Sequence, residues 1–183
     1  WARAVGGVDS LLHPRQIGST ETVGARPTSR PAAATPQHQR LEVFAGAWSA
    51  QGHQHEGVVG PAAKISALER FEWLPGRFFL VHHFEGRVGQ DETSCMAITR
   101  YDSASRSYPT RTYYNNGQRN DWDLREENGI WTFTGDWPTV HGSMRARCTV
   151  EFSNSGNTRT AKWEHSSNGA AWRTFWDVTA IRI

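Results

Sequence analysis

Apolar and polar positions alternate along most of the chain from Gly46 onward. In 143–153, Met144, Ala146, Cys148, Val150 and Phe152 alternate with Arg145, Arg147, Thr149 and Glu151. A period of two marks a strand with one buried face, so the first set is assigned inward. In 158–165, Ala161, Trp163 and His165 alternate with Thr160, Lys162 and Glu164. His165 is therefore expected on the inner side, near one rim. In the last segment Trp172, Trp176, Val178 and Ala180 fall on one face, and Phe175, Asp177 and Ile181 on the other.

Turn chemistry separates these segments. Leu74-Pro75-Gly76, Asp102–Ser107, Asn116-Gly117, Asn128-Gly129, Asn154–Asn157 and Ser167–Gly169 interrupt the alternation at regular spacing. Ten strands are predicted, over 46–55, 63–74, 77–86, 93–101, 108–115, 119–125, 130–137, 143–153, 158–165 and 172–183. Successive hairpins make an antiparallel meander, and a meander this long leaves hazardous edges unless it closes. The predicted fold class is all-β, an antiparallel up-and-down barrel of about ten strands. Its interior is either packed or holds one small ligand.

Ahead of the strands, Thr35 is a natural N-cap with Pro36 at the first helical position. A short helix over 36–45 follows, with Leu41, Phe44 and Ala45 on one face. Residues 1–35 are rich in Pro, Ala, Thr and Ser and show no period, so they are expected to form an extended or disordered arm. Val8–Leu12 could form one turn of helix within it. The domain reading is thus an arm, 1–35, and a barrel, 36–183.

The stretch Phe71–Phe84, FEWLPGRFFLVHHF, does not alternate cleanly. Phe78, Leu80, His82 and Phe84 make one face; Phe79, Val81, His83 and Glu85 make the other. The first set has no carboxylate and is assigned inward. His82 then lines the interior and His83 faces out. A single bulge would exchange them.

Composition narrows the picture. The chain has 183 residues, 37% of them hydrophobic, with nine Trp, eight Phe and four Tyr, so the interior leans on aromatic rings. Net charge is +2, with eighteen Arg scattered singly and two Lys, which argues against nucleic acid or an anionic membrane as partner. The longest wholly apolar run is the four residues Phe78–Val81, so no segment spans a membrane as a helix. No secretory signal is visible at the start. Cys95 and Cys148 stand alone; a disulfide between them is one reading, and a reduced cytoplasmic protein the plainer one. No C-x-x-C pair, phosphate-binding loop or nucleophile elbow occurs. His82 and His83 point to opposite faces and cannot share one ion, while His53 and His55 share a face but lack a third ligand. No metal and no cofactor is expected.

The helix followed by Gly46-Ala47-Trp48 resembles the opening of lipocalin-like, or calycin-like, barrels. FEWLPGRFFLVHH, ITRYDSASRSY (98–108), NNG (115–117), GIWTFTG (129–135), WEHSSNGAAW (163–172) and Arg182 follow in order. The series resembles a bacterial family of lipocalin-like barrels of unknown function over roughly 38–183. The resemblance implies the fold and no agreed activity. The architecture is more distantly similar to haem-binding nitrobindin-type barrels, but the surroundings of His165 do not match their haem motif, and no haem ligand is carried over.

The candidate polar residues of a cavity are His82 and His165, as general base or ligand donor, with Glu69 and Tyr113 beside them; Tyr114 and Tyr101 could also supply a phenol. The plainer reading of the histidines is a hydrogen bond to a barrel neighbour. For Glu69 it is a solvated place near the rim. Trp122, Trp137 and Trp176, with Phe84 and Met144, are the candidate apolar contacts, and Trp172 is a further one at the mouth. Trp48, Trp131 and Trp163 are assigned to core packing. Three functions stay open. The first is binding of a small apolar or aromatic molecule. The second is a cofactor-independent lyase, isomerase or cyclase using a cavity histidine as acid or base. The third is a structural barrel with a filled core that dimerises through the arm.

Overall fold

The computed structural model describes residues 33–139 and 142–183. The expected arm and the turn at Val8–Leu12 lie outside the described residues, apart from Ala33–Thr35. Pro36–Gln39 forms a single α-helical turn, α1, which tightens into a 3-10 turn over Arg40–Val43. The helix is thus shorter than its 36–45 pattern. Thr35 caps it: its backbone N–H donates to His38 Nδ1 at 3.1 Å.

Ten strands follow: β1 (Gly46–Gln54), β2 (Ala63–Trp73), β3 (Phe79–Val88), β4 (Asp91–Arg100), β5 (Tyr108–Tyr114), β6 (Arg119–Glu127), β7 (Ile130–Thr139), β8 (Gly142–Ser153), β9 (Thr158–Ser166) and β10 (Arg173–Arg182). Each pairs antiparallel with its sequence neighbour, and β1 pairs with β10, so the sheet closes into an up-and-down barrel. Closure satisfies the edge hydrogen bonds a ten-stranded open meander would leave bare. β3 begins two residues later than expected because Leu74–Arg77 forms the turn, with Gly76 and Arg77 both at positive φ (91° and 59°).

Close approaches inside the barrel need glycine. A Cβ at Gly52 would lie 2.0 Å from the carbonyl oxygen of Asp177, and one at Gly86 2.8 Å from both the Ala67 Cβ and the Ser66 oxygen.

One end is plugged by the N-terminal turn. Leu41 and Phe44 are fully buried against Leu80, Tyr108, Leu124 and Trp131. Polar bonds fasten the plug: Trp48 Nε1 donates to the Phe44 oxygen at 2.8 Å and Tyr108 Oη to the Gln37 oxygen at 3.0 Å. Arg182 bonds the carbonyls of Ala45, Val43 and Gly156 while its guanidinium sits 4.3 Å over the Trp48 ring. The sequence places this arginine at the chain's end; only closure of the barrel brings it under the helix.

The alternation predicted for β10 is broken. A register shift between Thr174 and Trp176 turns Phe175 inward as well as Trp176, and Phe175 is 1% exposed. The expectation that Phe175 and Trp176 fall on opposite faces is corrected by this bulge, which re-aims a side chain. Among the described residues no helix is long and apolar enough to cross a membrane.

Candidate functional site

Between the plugged end and the hairpin at 115–118 the barrel encloses a cavity of about 320 Å³. Strand register dictates its wall. One row of cross-strand partners runs Phe71, His82, Ala97, Thr112 and Asn120 across β2–β6. The next row towards the open end runs Glu69, Phe84, Cys95 and Tyr114 across β2–β5. The opposite wall is aromatic: Trp122, Trp137, Trp163 and Trp176 meet edge to face or tilted, with ring centroids 5.2–6.4 Å apart. Trp176 Nε1 donates to Gln54 Oε1, and Gln54 Nε2 to the Pro61 oxygen, both at 2.8 Å, which ties the ring to the 55–62 loop.

A polar trio of Arg159, Glu69 and His82 lies in the interior. Arg159 lies in β9, and its cross-strand neighbours towards β2 are Ala180 and Ala50. These small side chains leave room for the arginine to cross the barrel and reach Glu69. Its Nη2 donates to Glu69 Oε1 at 2.5 Å, and both side chains are 7% exposed. The guanidinium also lies 5.2 Å over the Trp48 ring and 5.3 Å over Phe71. The second Glu69 oxygen is 2.8 Å from His82 Nε2. Burial would raise the Glu69 pKa, but Arg159 and the His82 bond outweigh it and hold the carboxyl at about 2. An ionised carboxylate only accepts, so His82 donates through Nε2 and its Nδ1 is left without a hydrogen bond. The ring is stacked on Phe71 at 4.0 Å and 3°.

Sequence candidates fall in different places. His82, Glu69, Phe84, Trp122, Trp137 and Trp176 line the cavity. The reading of Glu69 as a solvated rim carboxylate is corrected, because Arg159 draws it inside. Tyr113 is 41% exposed on the outer face, and its neighbour Tyr114 takes the inward place, since Tyr114 pairs with inward Cys95. His165 packs against Phe175 near the rim and does not line the cavity. Met144 is buried opposite Trp137 but also stops short of the cavity wall. Trp172 lies under the Arg147 guanidinium at 4.3 Å, away from the cavity. Trp48 and Trp131 are buried in the core, whereas Trp163, expected there, forms part of the wall.

Arg159 and Asn120 also line the cavity, and Arg159 was not among the candidates. Arg159 shares the parity of inward Ala161 and Trp163, which was the available signal; its charge argued the other way. Cys95 and Cys148 are free thiols on the cavity wall. Burial pushes the Cys95 thiol up to about 12 and raises Cys148 as well. His53 and His55 both reach Asp177 on the outer surface, at 3.8 and 2.5 Å. Among the described residues no group of three or more His, Cys, Asp or Glu side chains is disposed to hold a metal ion.

The sequence profile of the family described as "Protein of unknown function (DUF1579)" matches residues 33–182, and the chain belongs to that family. No curated protein matches it. Rv2717c from M. tuberculosis is similar in fold, with a TM-score of 0.56 at 12% identity over 83% of this chain and 99% of that one. The S-type phycobiliprotein lyase CPES from Guillardia theta is similar at a TM-score of 0.54 and 12% identity, over 79% of this chain and 91% of that one. Both are likenesses of fold.

Proposed function

We propose that this DUF1579-family barrel binds a small, largely apolar molecule with a ring system in its interior. The observation that carries the reading is the cavity of about 320 Å³, at the lower end of ligand-pocket sizes, with aromatic walls around one internally neutralised polar trio. Apolar area would supply the affinity, at roughly 25 cal/mol per Å² before ordering costs. The void weighs against a barrel filled by its own side chains. The fold neighbour named as a phycobiliprotein lyase is consistent with an interior that takes a small molecule.

The test is native mass spectrometry of gently purified protein against its denatured mass, with calorimetric titration of single-ring aromatics. A bound mass lost on denaturation, or saturable binding abolished by Ala97→Trp at the cavity wall, is the expected result. No bound mass, and titration curves identical for wild type and Ala97→Trp, would overturn the reading.

A second reading is favoured by the Glu69–His82 bond. A carboxylate that fixes the imidazole tautomer and leaves Nδ1 open is the arrangement of an oriented general base. His82→Ala is then expected to abolish turnover of any substrate found, while His165→Ala leaves it unchanged. Equal activity in the two variants would refute acid–base work at His82.

A further inference from the structure

Among the described residues, three donors on or beside the cavity wall have no acceptor. Asn120 is 4% exposed, lines the cavity and has no hydrogen-bond partner for its Nδ2. Arg159 is 6% exposed, and its Nε is likewise unpartnered. Tyr114 lines the cavity with no hydrogen bond to its hydroxyl, and burial raises its pKa, so the phenol keeps its proton. Leaving the buried Asn120 and Arg159 donors without acceptors costs about 1–3 kcal/mol each, so they point to a partner that arrives from outside the chain.

Two of these donors are neighbours. Thr112 pairs with Asn120, and Tyr114 lies two residues beyond Thr112 on the same face of β5. Diagonal partners of this kind have Cα atoms about 7–8 Å apart, and their side chains reach over a shared patch of sheet. Between His82 and Asn120 the row carries only Ala97 and Thr112, a low floor on which a flat ring can lie. The four tryptophans close the site from the other wall.

Resting on the cavity-binding reading, we propose that Tyr114 and Asn120 form a two-donor clamp for a carbonyl oxygen, and that the ligand class is a neutral aromatic carbonyl compound: a ketone, lactone, amide or quinone. Neutrality follows from the charges facing the cavity. Glu69 and Arg159 already cancel, so a carboxylate ligand would bring an unbalanced charge beside Glu69 into a dry interior. A ligand without an acceptor would leave both clamp donors unmet. The phenol O–H and the amide N–H both donate, and a carbonyl oxygen has two lone pairs with which to accept them.

The experiment uses acetophenone and its isostere α-methylstyrene, in which CH₂ replaces the oxygen, with benzoate as the charged analogue. Affinities are measured by titration calorimetry for wild type, Tyr114→Phe and Tyr114→Phe/Asn120→Leu. Comparing the ketone-to-alkene affinity ratio across variants cancels the solvation of the free probes. The expected ratio falls about tenfold or more in the double variant, with Tyr114→Phe intermediate, and benzoate binds more weakly than acetophenone to wild type. An unchanged ratio overturns the clamp while leaving the cavity reading intact. Absence of binding by all three probes overturns the cavity reading itself. A measurement on wild type alone guards against misfolded variants. The carbonyl ¹³C signal of bound labelled acetophenone is expected downfield of its position in an apolar solvent; a bound signal at the apolar position refutes the hydrogen bonds.

Discussion

Replacing Glu69 by Gln tests the physical account of the interior most directly. The substitution keeps shape and one acceptor but removes the charge that balances Arg159. Both side chains are 7% exposed, so the guanidinium is left as an uncompensated buried charge. Breaking one partner of such a pair costs about 3–5 kcal/mol. Domain stabilities run about 5–15 kcal/mol, so this is a large fraction of the total. For a chain of this size it lowers Tm by on the order of 10 °C. The assay is urea unfolding followed by tryptophan fluorescence, with the slope m held against wild type to confirm that the denatured state is unchanged. The pH dependence is fixed in sign. The carboxyl has an ordinary value of 4.5 in the unfolded chain and about 2 in the barrel. Its stabilisation is therefore whole above pH 4.5 and is lost as the pH falls towards 2. The gap between wild type and Glu69→Gln is expected to be widest near neutrality and to close on acidification. Glu69→Leu combined with Arg159→Met removes both charges and is expected to recover most of the loss. A cost below about 1 kcal/mol for Glu69→Gln, or a double variant no more stable than the singles, would refute the claim that the pair is held in a dry interior.

Three further outcomes follow from the same structure. Arg182→Ala removes the bonds to the Ala45, Val43 and Gly156 carbonyls and the contact with Trp48, and is expected to cost about 2–4 kcal/mol in thermal or urea unfolding; a loss under 0.5 kcal/mol would show that the plug does not depend on it. With its thiol pushed from 9 to about 12, Cys95 at pH 8 carries roughly a thousandfold less thiolate than an ordinary cysteine, so labelling by a disulfide reagent is expected to be slow until urea is added; fast native labelling would contradict the burial. Gly135→Ala puts a Cβ 2.7 Å from the Asp121 oxygen and 2.8 Å from the Trp122 ring, so it is expected to destabilise by about 1–3 kcal/mol and shift the tryptophan emission; a neutral substitution would mean that the wall yields freely.

The strand set was legible because a half-buried strand writes itself as alternation, and each hairpin carries its own turn residues. His82 was placed inward by comparing two faces of one strand, and β3 pairs with β2 and β4 in the register that puts it there. Where two aromatic residues adjoin, as at Tyr113-Tyr114, composition says nothing about which enters. Pairing of Tyr114 with Cys95 decides it. At Thr174–Trp176 a bulge admits two successive rings, and no period can announce an extra residue in one strand only.

The sequence by itself determined the number and order of the strands and the antiparallel meander, since those depend on local periodicity and turn chemistry. The tertiary structure alone decided the polar interior. Glu69 and Arg159 are ninety residues apart in sequence and meet only when closure brings β9 near β2 across Ala180 and Ala50. A charge reads as exposed in any local pattern, because water is its cheapest surrounding. It is the opposite charge arriving from a distant strand that lets it stay buried.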